Sequence, residues 1–271
     1  MSWPHVLVLG ATASAAMHAA VARGDLEEAA RQAAIAGPAF VERALGSSDR
    51  PTRLAAIAAA PAVEDRAELL DALARVAAGP DRRTAIPAAA AAHAIAHDLE
   101  RNGRPDDLAE DDVAGWRQTW AGLALRADRW IELRVDALDT AAALDPAGIG
   151  VDLATALRDP DPAFRRAACA VVPSPPPTAA VAALSDAVAH DADRDVALAA
   201  ARSLCGALDA RSTRATLAGL GADGVARLRG LVTSQPRLPP AAVRELARCL
   251  SADGTAGSTA ALRAVGFQVG R

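Results

Sequence analysis

The sequence predicts an all-α fold: a right-handed α-solenoid of about six to seven stacked antiparallel helical hairpins. Three observations predict it. An aspartate opens a short alanine-rich helix at Asp49, Asp81, Asp128, Asp161 and Asp193, at intervals of 32, 47, 33 and 32 residues. A period of that size marks helical repeats that bury their apolar faces on their neighbours. Alanine makes up more than a quarter of the 271 residues, combining the best helix propensity with a side chain small enough for close helix approach. The 19 glycines and 17 prolines fall mostly between the alanine-rich runs, as helix stops and starts should. No alternating strand pattern of useful length interrupts them.

Composition narrows the function classes. There is no lysine, so all 29 positive side chains are arginine, and the net charge is −4. That balance argues against broad, non-specific nucleic-acid binding, which needs a basic footprint to neutralise phosphates. A local arginine stripe remains compatible with it. No run approaches the roughly 18–20 apolar residues that span a bilayer. Cys169, Cys205 and Cys249 each sit in the apolar stripe of a second helix and read as small buried hydrophobes, with neither a disulfide framework nor a CxxC pair.

Along the chain, Val6–Leu9 followed by Gly10 to Ala15 has the outline of a short signal peptide, but no Lys or Arg precedes it and the helical pattern runs on from Ala13 to Arg23. The expected compartment is the cytoplasm, with export as the alternative if residues 1–15 are cleaved. Ala13 and Ala16 stand where a dinucleotide-binding turn needs glycines, so that reading fails. Asp25 caps the run to Ile35, Pro38 opens the run to Leu45, and Asp49 with Pro51 opens the next. A single helix is expected over Glu64 to Ala78, and Asp81 starts its partner, which ends near Leu99.

The acidic stretch from Glu100 to Asp112 lengthens one interval and reads as a solvated loop; it fits no EF-hand spacing. Trp116 and Trp120 fall on one apolar stripe with Val113 and Leu123, and so belong to the core between repeats. Trp130 opens the next helix beside Asp128. The prolines from Pro173 to Pro177 form a stiff connector, with a formal PxxP of no further weight. Thr178 is expected to cap the following helix. Residues 25–208 hold the repeats. Beyond 208 the period blurs into short helices around Arg211–Leu220, Asp223–Val232, Pro240–Leu250 and Ser258–Val265, a degenerate C-terminal cap.

At Asp159-Pro-Asp161-Pro-Ala-Phe164-Arg165-Arg-Ala-Ala168 the chain resembles a HEAT repeat, of the short bacterial kind grouped with phycobilisome-lyase-type repeats. Ser48-Asp49 with Arg53 and Ala56 is similar, as is Asp191-Ala-Asp193 with Val196 and Ala200, there without the arginine. The copies at Asp81 and Asp128 are looser, with Arg83 and Arg134 as approximate counterparts. The resemblance implies second helices lining a concave face where partners bind. It also implies pairing of turn aspartates with helix arginines between repeats, which makes Asp161 and Arg165 structural. On function it is almost silent, because such repeats serve many roles.

Candidate chemistry is sparse. His93 and His97 lie four residues apart on one helix, a spacing at which two imidazoles can share a metal. Asp98 and Glu100 are expected off that face, so a completing ligand has to come from another repeat. HEAT-like di-iron hydroxylases carry His-Glu dipeptides, and this chain has none. No GxSxG, P-loop or triad pattern is present, so no catalytic residue and no cofactor is expected. Arginines recur near second-helix starts, and Arg53, Arg134, Arg165 and Arg202 are the candidates for gripping acidic groups on a protein partner. The reading is a non-catalytic scaffold or adaptor with a protein partner and without nucleic acid. Its rivals are a lyase or isomerase acting on a bound tetrapyrrole, and a DNA-repair-type HEAT protein.

Overall fold

The computed structural model describes residues 3–105, 108–205, 210–233 and 238–266, and among these there is no strand. The chain forms two compact units, Met1–Asp145 and Pro146–Arg271. Asp106 and Asp107 of the acidic loop, and the expected boundary at 208, lie outside the described residues.

The first unit holds α1 (Trp3–Ala22), α2 (Leu26–Ala36), α3 (Pro38–Leu45), α4 (Arg50–Ala59), α5 (Leu70–Ala77), α6 (Arg82–Asn102), α7 (Glu110–Ala124) and α8 (Ile131–Leu144). Consecutive helices pair as hairpins, α1 with α2, α3 with α4, α5 with α6 and α7 with α8. Across the hairpins the second helices pack α2 on α4, α4 on α6 and α6 on α8. The second unit repeats the plan. Its helices are α9 (Gly150–Ala156), α10 (Pro162–Ala170), α11 (Thr178–His190), α12 (Arg194–Cys205), α13 (Ala210–Thr233), α14 (Pro240–Asp253) and α15 (Ala256–Ala264). Here α9, α11 and α13 stack as first helices, α10, α12 and α14 as second helices, and α15 closes on α13 and α14. Stacked helical hairpins are the architecture of both units.

The aspartates make the helix starts. Asp25, Asp49, Asp81, Asp161 and Asp193 each accept a hydrogen bond from a backbone amide two or three residues on, at 3.1, 2.9, 3.2, 2.8 and 2.8 Å. Each satisfies one of the amides that a helix N-terminus leaves unpaired, worth about 1 kcal/mol. Asp128 does not do this. Trp130, in extended backbone, stands at the cap of α8, and Asp128 pairs with Arg126 at 2.8 Å. Thr178 likewise begins α11 rather than capping it; Pro177 holds the cap position without a side-chain hydrogen bond.

The helix expected over Glu64 to Ala78 is two pieces, a 3-10 turn at Arg66–Leu69 and then α5. Asp65 takes a left-handed backbone (φ 54°), through which a right-handed helix cannot propagate, so the helical run begins at Arg66 and not at Glu64. Glycine serves the same purpose at Gly221 (φ 67°), which divides α13 into the two expected segments. The proline connector packs closely against its neighbours. A Cβ on Gly150 would fall 2.8 Å from Pro177 Cβ, and one on Gly219 would fall 2.7 Å from Pro175 Cβ.

The cores are alanine and leucine with a few large side chains. Trp120 is fully buried and Trp116 nearly so, at 0% and 8% exposure, which places both in the core of the first unit. Ile95, Leu133, Leu138 and Leu144 are buried beside them on α6 and α8, each contributing about 1.5–3 kcal/mol of apolar transfer energy. In the second unit Phe164, Val196, Leu204 and Leu246 do the same.

Candidate functional site

Three of the four arginines expected to meet a partner are spent inside the stack. Arg165 on α10 donates from Nη1 to the backbone carbonyls of Asp159 and Pro160, at 2.7 and 3.1 Å. Its Nε and Nη2 donate to the two carboxylate oxygens of Asp191, each at 2.8 Å. The side chains are 15% and 6% exposed. The arginine therefore pairs with the first aspartate of the next Asp-x-Asp turn, not with the capping one. That first aspartate also accepts the Asp193 amide at 2.9 Å. Burial pushes the Asp191 carboxyl up, and the hydrogen bonds from Arg165 and the Asp193 amide outweigh it, holding the group below the ordinary carboxylate range.

Arg53 repeats this arrangement in looser form. Its Nη1 donates to the Ser47 carbonyl at 2.5 Å, and its Nη2 lies 3.8 Å from Asp81, which Arg50 also engages at 2.9 Å. Arg134 is buried, 4% exposed, with Nε donating to the Ala124 carbonyl at 2.9 Å. It closes the end of its own hairpin and is out of a partner's reach. In the looser copy at Asp128 it is only an approximate counterpart of Arg53 and Arg165, and the repeat pattern does not show that its position points inward.

Arg202 differs. On α12 the residues Val196, Ala197, Ala200, Ala201 and Leu204 face inward, and Asp195, Leu198, Ala199 and Arg202 recur at helical spacing on the opposite side. Together with Arg166, Ala170 and Val172 they border an open groove of about 570 Å³ between α10 and α12. Arg166 is 57% exposed and lies 3.9 Å from Asp195, and Arg202 is 60% exposed and lies 3.4 Å from Glu245. The Arg166–Asp195 pair is open on both sides and worth little to stability, and Arg202 stays exposed although it reaches the largely covered Glu245, which Arg248 also holds at 3.2 Å. Arg166 is one of the arginines that recur near second-helix starts but is not among the four sequence-based candidates.

The histidines occupy a second distinct place, on the packed face between α6 and α8. Their rings meet edge to face, with centroids 4.5 Å apart. Asp139 of α8 sits between them: His93 Nε2 is 3.1 Å from its Oδ2, and His97 Nε2 is 3.4 Å from its Oδ1. All three side chains are about one-third exposed. His97 Nδ1 is 2.9 Å from Glu100 Oε2, so Glu100 does reach the histidine face, contrary to the expectation from sequence. Asp98 does not, being taken by Arg66 and Asn102.

The hydrogen bond to Asp139 raises the His93 pKa above its ordinary value, against the opposing effect of burial. Burial pushes the Asp139 carboxyl up, and His93 more than offsets it, leaving it lowered. Asp136, one turn away, is raised by burial. Asp139 was the residue sequence reasoning missed. Shifting it back by the 47-residue repeat interval places it next to His93, which is the signal that was available.

The cysteines are buried and unbridged. Burial pushes the Cys169 thiol up to about 12. A hydrogen bond with the Cys249 thiol, together with burial, pushes Cys205 up as well. Cys169 and Cys205 are therefore inert packing groups at neutral pH. No described helix is long and apolar enough to cross a membrane.

No family model matches the chain, and no curated protein does. Among solved structures, the chain is similar to Kap121p bound to Pho4p, with a TM-score of 0.45 and 15% identity over 83% of this chain and 28% of that one. It is also similar to Kap121p bound to Ste12p, with a TM-score of 0.43 and 16% identity over the same shares. The chain thus spans a little over a quarter of the length of the proteins it matches.

Proposed function

We propose that the chain is a non-catalytic protein-interaction scaffold of HEAT-like repeats. It takes an acidic segment of a partner protein along the second-helix face of α10 and α12. The observation that carries this reading is the division of labour among the arginines. Arg53, Arg134 and Arg165 are held by carbonyls and carboxylates of the stack, whereas Arg166 and Arg202 stand exposed over an apolar floor of Ala170, Val172, Leu198 and Ala199. Two weakly committed guanidiniums flanking apolar side chains match a partner segment with carboxylates on either side of an aliphatic residue, since arginine recognises carboxylates bidentately.

A photo-crosslinking residue at Leu198 tests the proposal in cells that express the chain. The expected result is one dominant crosslinked protein, mapped to an acidic segment. That protein, once purified, should bind the wild type and bind the Arg166→Glu/Arg202→Glu variant at least about tenfold more weakly. A crosslinked protein whose affinity ignores both charge reversals would contradict the proposed face.

A further inference from the structure

We infer that His93, His97 and Asp139 form a binding site for one divalent transition-metal ion of the zinc type, which ties α6 to α8. The geometry carries the inference. The ligand atoms of the three side chains all lie within 4.8 Å of one another. Bonds of about 2.0–2.1 Å in a tetrahedral site set neighbouring ligand atoms roughly 3.3–3.4 Å apart. The two histidine-to-Asp139 separations are 3.1 and 3.4 Å. Both imidazoles present Nε2 to the same carboxylate, His93 to Oδ2 and His97 to Oδ1, so a small turn of the carboxylate between them completes the set.

Proton bookkeeping points the same way. A carboxylate only accepts, so Glu100 fixes the proton of His97 on Nδ1. In the neutral ring that leaves a lone pair on Nε2, aimed at the Asp139 carboxylate. Two acceptors face to face repel unless a cation lies between them. A metal ion meets that need while keeping the ring neutral, in the tautomer a ligand requires. Glu100 then acts as the carboxylate that orients a ligating histidine, a common partner of metal-bound imidazole.

The donor set selects the ion. Two imidazoles and one carboxylate suit zinc, cobalt or nickel, whereas calcium and magnesium prefer all-oxygen shells. Each side chain is about one-third exposed, so an ion can enter, and three protein ligands leave a position for water. The site bridges the hairpins on either side of the lengthened repeat interval, where the period is broken.

Isothermal titration of chelator-treated protein with Zn²⁺ at neutral pH tests this, with Co²⁺ absorption as a geometric readout. The expected result is one ion per chain at micromolar affinity or tighter, and the visible bands of low-coordinate Co²⁺. His93→Ala, His97→Ala and Asp139→Asn should each weaken binding at least tenfold, and Glu100→Ala about 10–100-fold. Asp139→Asn keeps the side-chain shape, so it reports on ligation even where a histidine variant loses stability; helicity is checked for each. Absence of saturable one-to-one binding would overturn the inference. So would affinity that survives Asp139→Asn unchanged, because the histidine pair alone would then hold the ion.

Discussion

Arg165 clasps the Asp191 carboxylate with two parallel hydrogen bonds of 2.8 Å, joining the start of one second helix to the turn that begins the next. The pair is nearly closed off from solvent, at 15% and 6% exposure, and the same arginine holds its own turn through the Asp159 carbonyl. It is therefore a unit of stacking. Arg165→Ala and Asp191→Ala should each cost about 2–4 kcal/mol in urea unfolding, with a strong coupling energy in the double-mutant cycle. Arg165→Lys should rescue little, because an ammonium cannot make the bidentate contact. Additive single-mutant costs would refute the pairing as a source of stability.

The same pair sets an acid dependence. The folded-state pKa of Asp191 is lowered, so its contribution is fully present above the unfolded value of about 3.9 and is lost as pH falls through the folded value. The gap in stability between wild type and Asp191→Asn should be widest at neutral pH and should narrow below about pH 4. Urea midpoints across that range measure it. A gap that stays constant into strong acid would show that the ionised carboxylate is not what stabilises the stack.

Capping aspartates and their look-alike separate cleanly. Asp161→Ala removes the acceptor for the Ala163 amide and should cost about 1 kcal/mol. Asp128 is 63% exposed and pairs with the neighbouring Arg126 and Arg129, so Asp128→Ala should stay within about 0.5 kcal/mol of wild type. Thermal melts of the two variants side by side decide it, and equal losses would mean the register of α8 is wrong.

Close packing of the proline connector gives a fourth expectation. Gly150→Ala places a methyl 2.8 Å from Pro177 Cβ, and overpacking of that kind costs about 1–3 kcal/mol. Gly115→Ala, where an added Cβ meets nothing within 4 Å, serves as the control and should be neutral or slightly stabilising.

Local signals made the helices legible and left the site dark. Caps such as Asp49 and Asp161, the leucine stripes of α5 and α8, and Trp116 with Trp120 are readable because each depends on a few adjacent residues. Asp65 misled because a left-handed non-glycine residue has no sequence signature. Arg165 and Arg166 are neighbours, yet one is inside and the other outside. Only the position of Asp191, supplied by the next repeat, shows which is which. His93 and His97 were visible as a pair, whereas Asp139 becomes their partner only when α8 is laid against α6 in register. Contacts between repeats are not written in adjacent residues; for Asp139 the 47-residue interval alone hints at them.

Arg165 faces inward and builds the stack, whereas the proposed role of Arg166 and Arg202 is to meet a partner. The most direct measurement compares Arg166→Glu/Arg202→Glu with Arg165→Ala, scoring unfolding free energy and retention of the crosslinked partner together. The outward pair should keep stability within about 1 kcal/mol and lose the partner, while Arg165→Ala loses stability first. Large destabilisation by the outward pair, or a partner retained in full, would contradict that role.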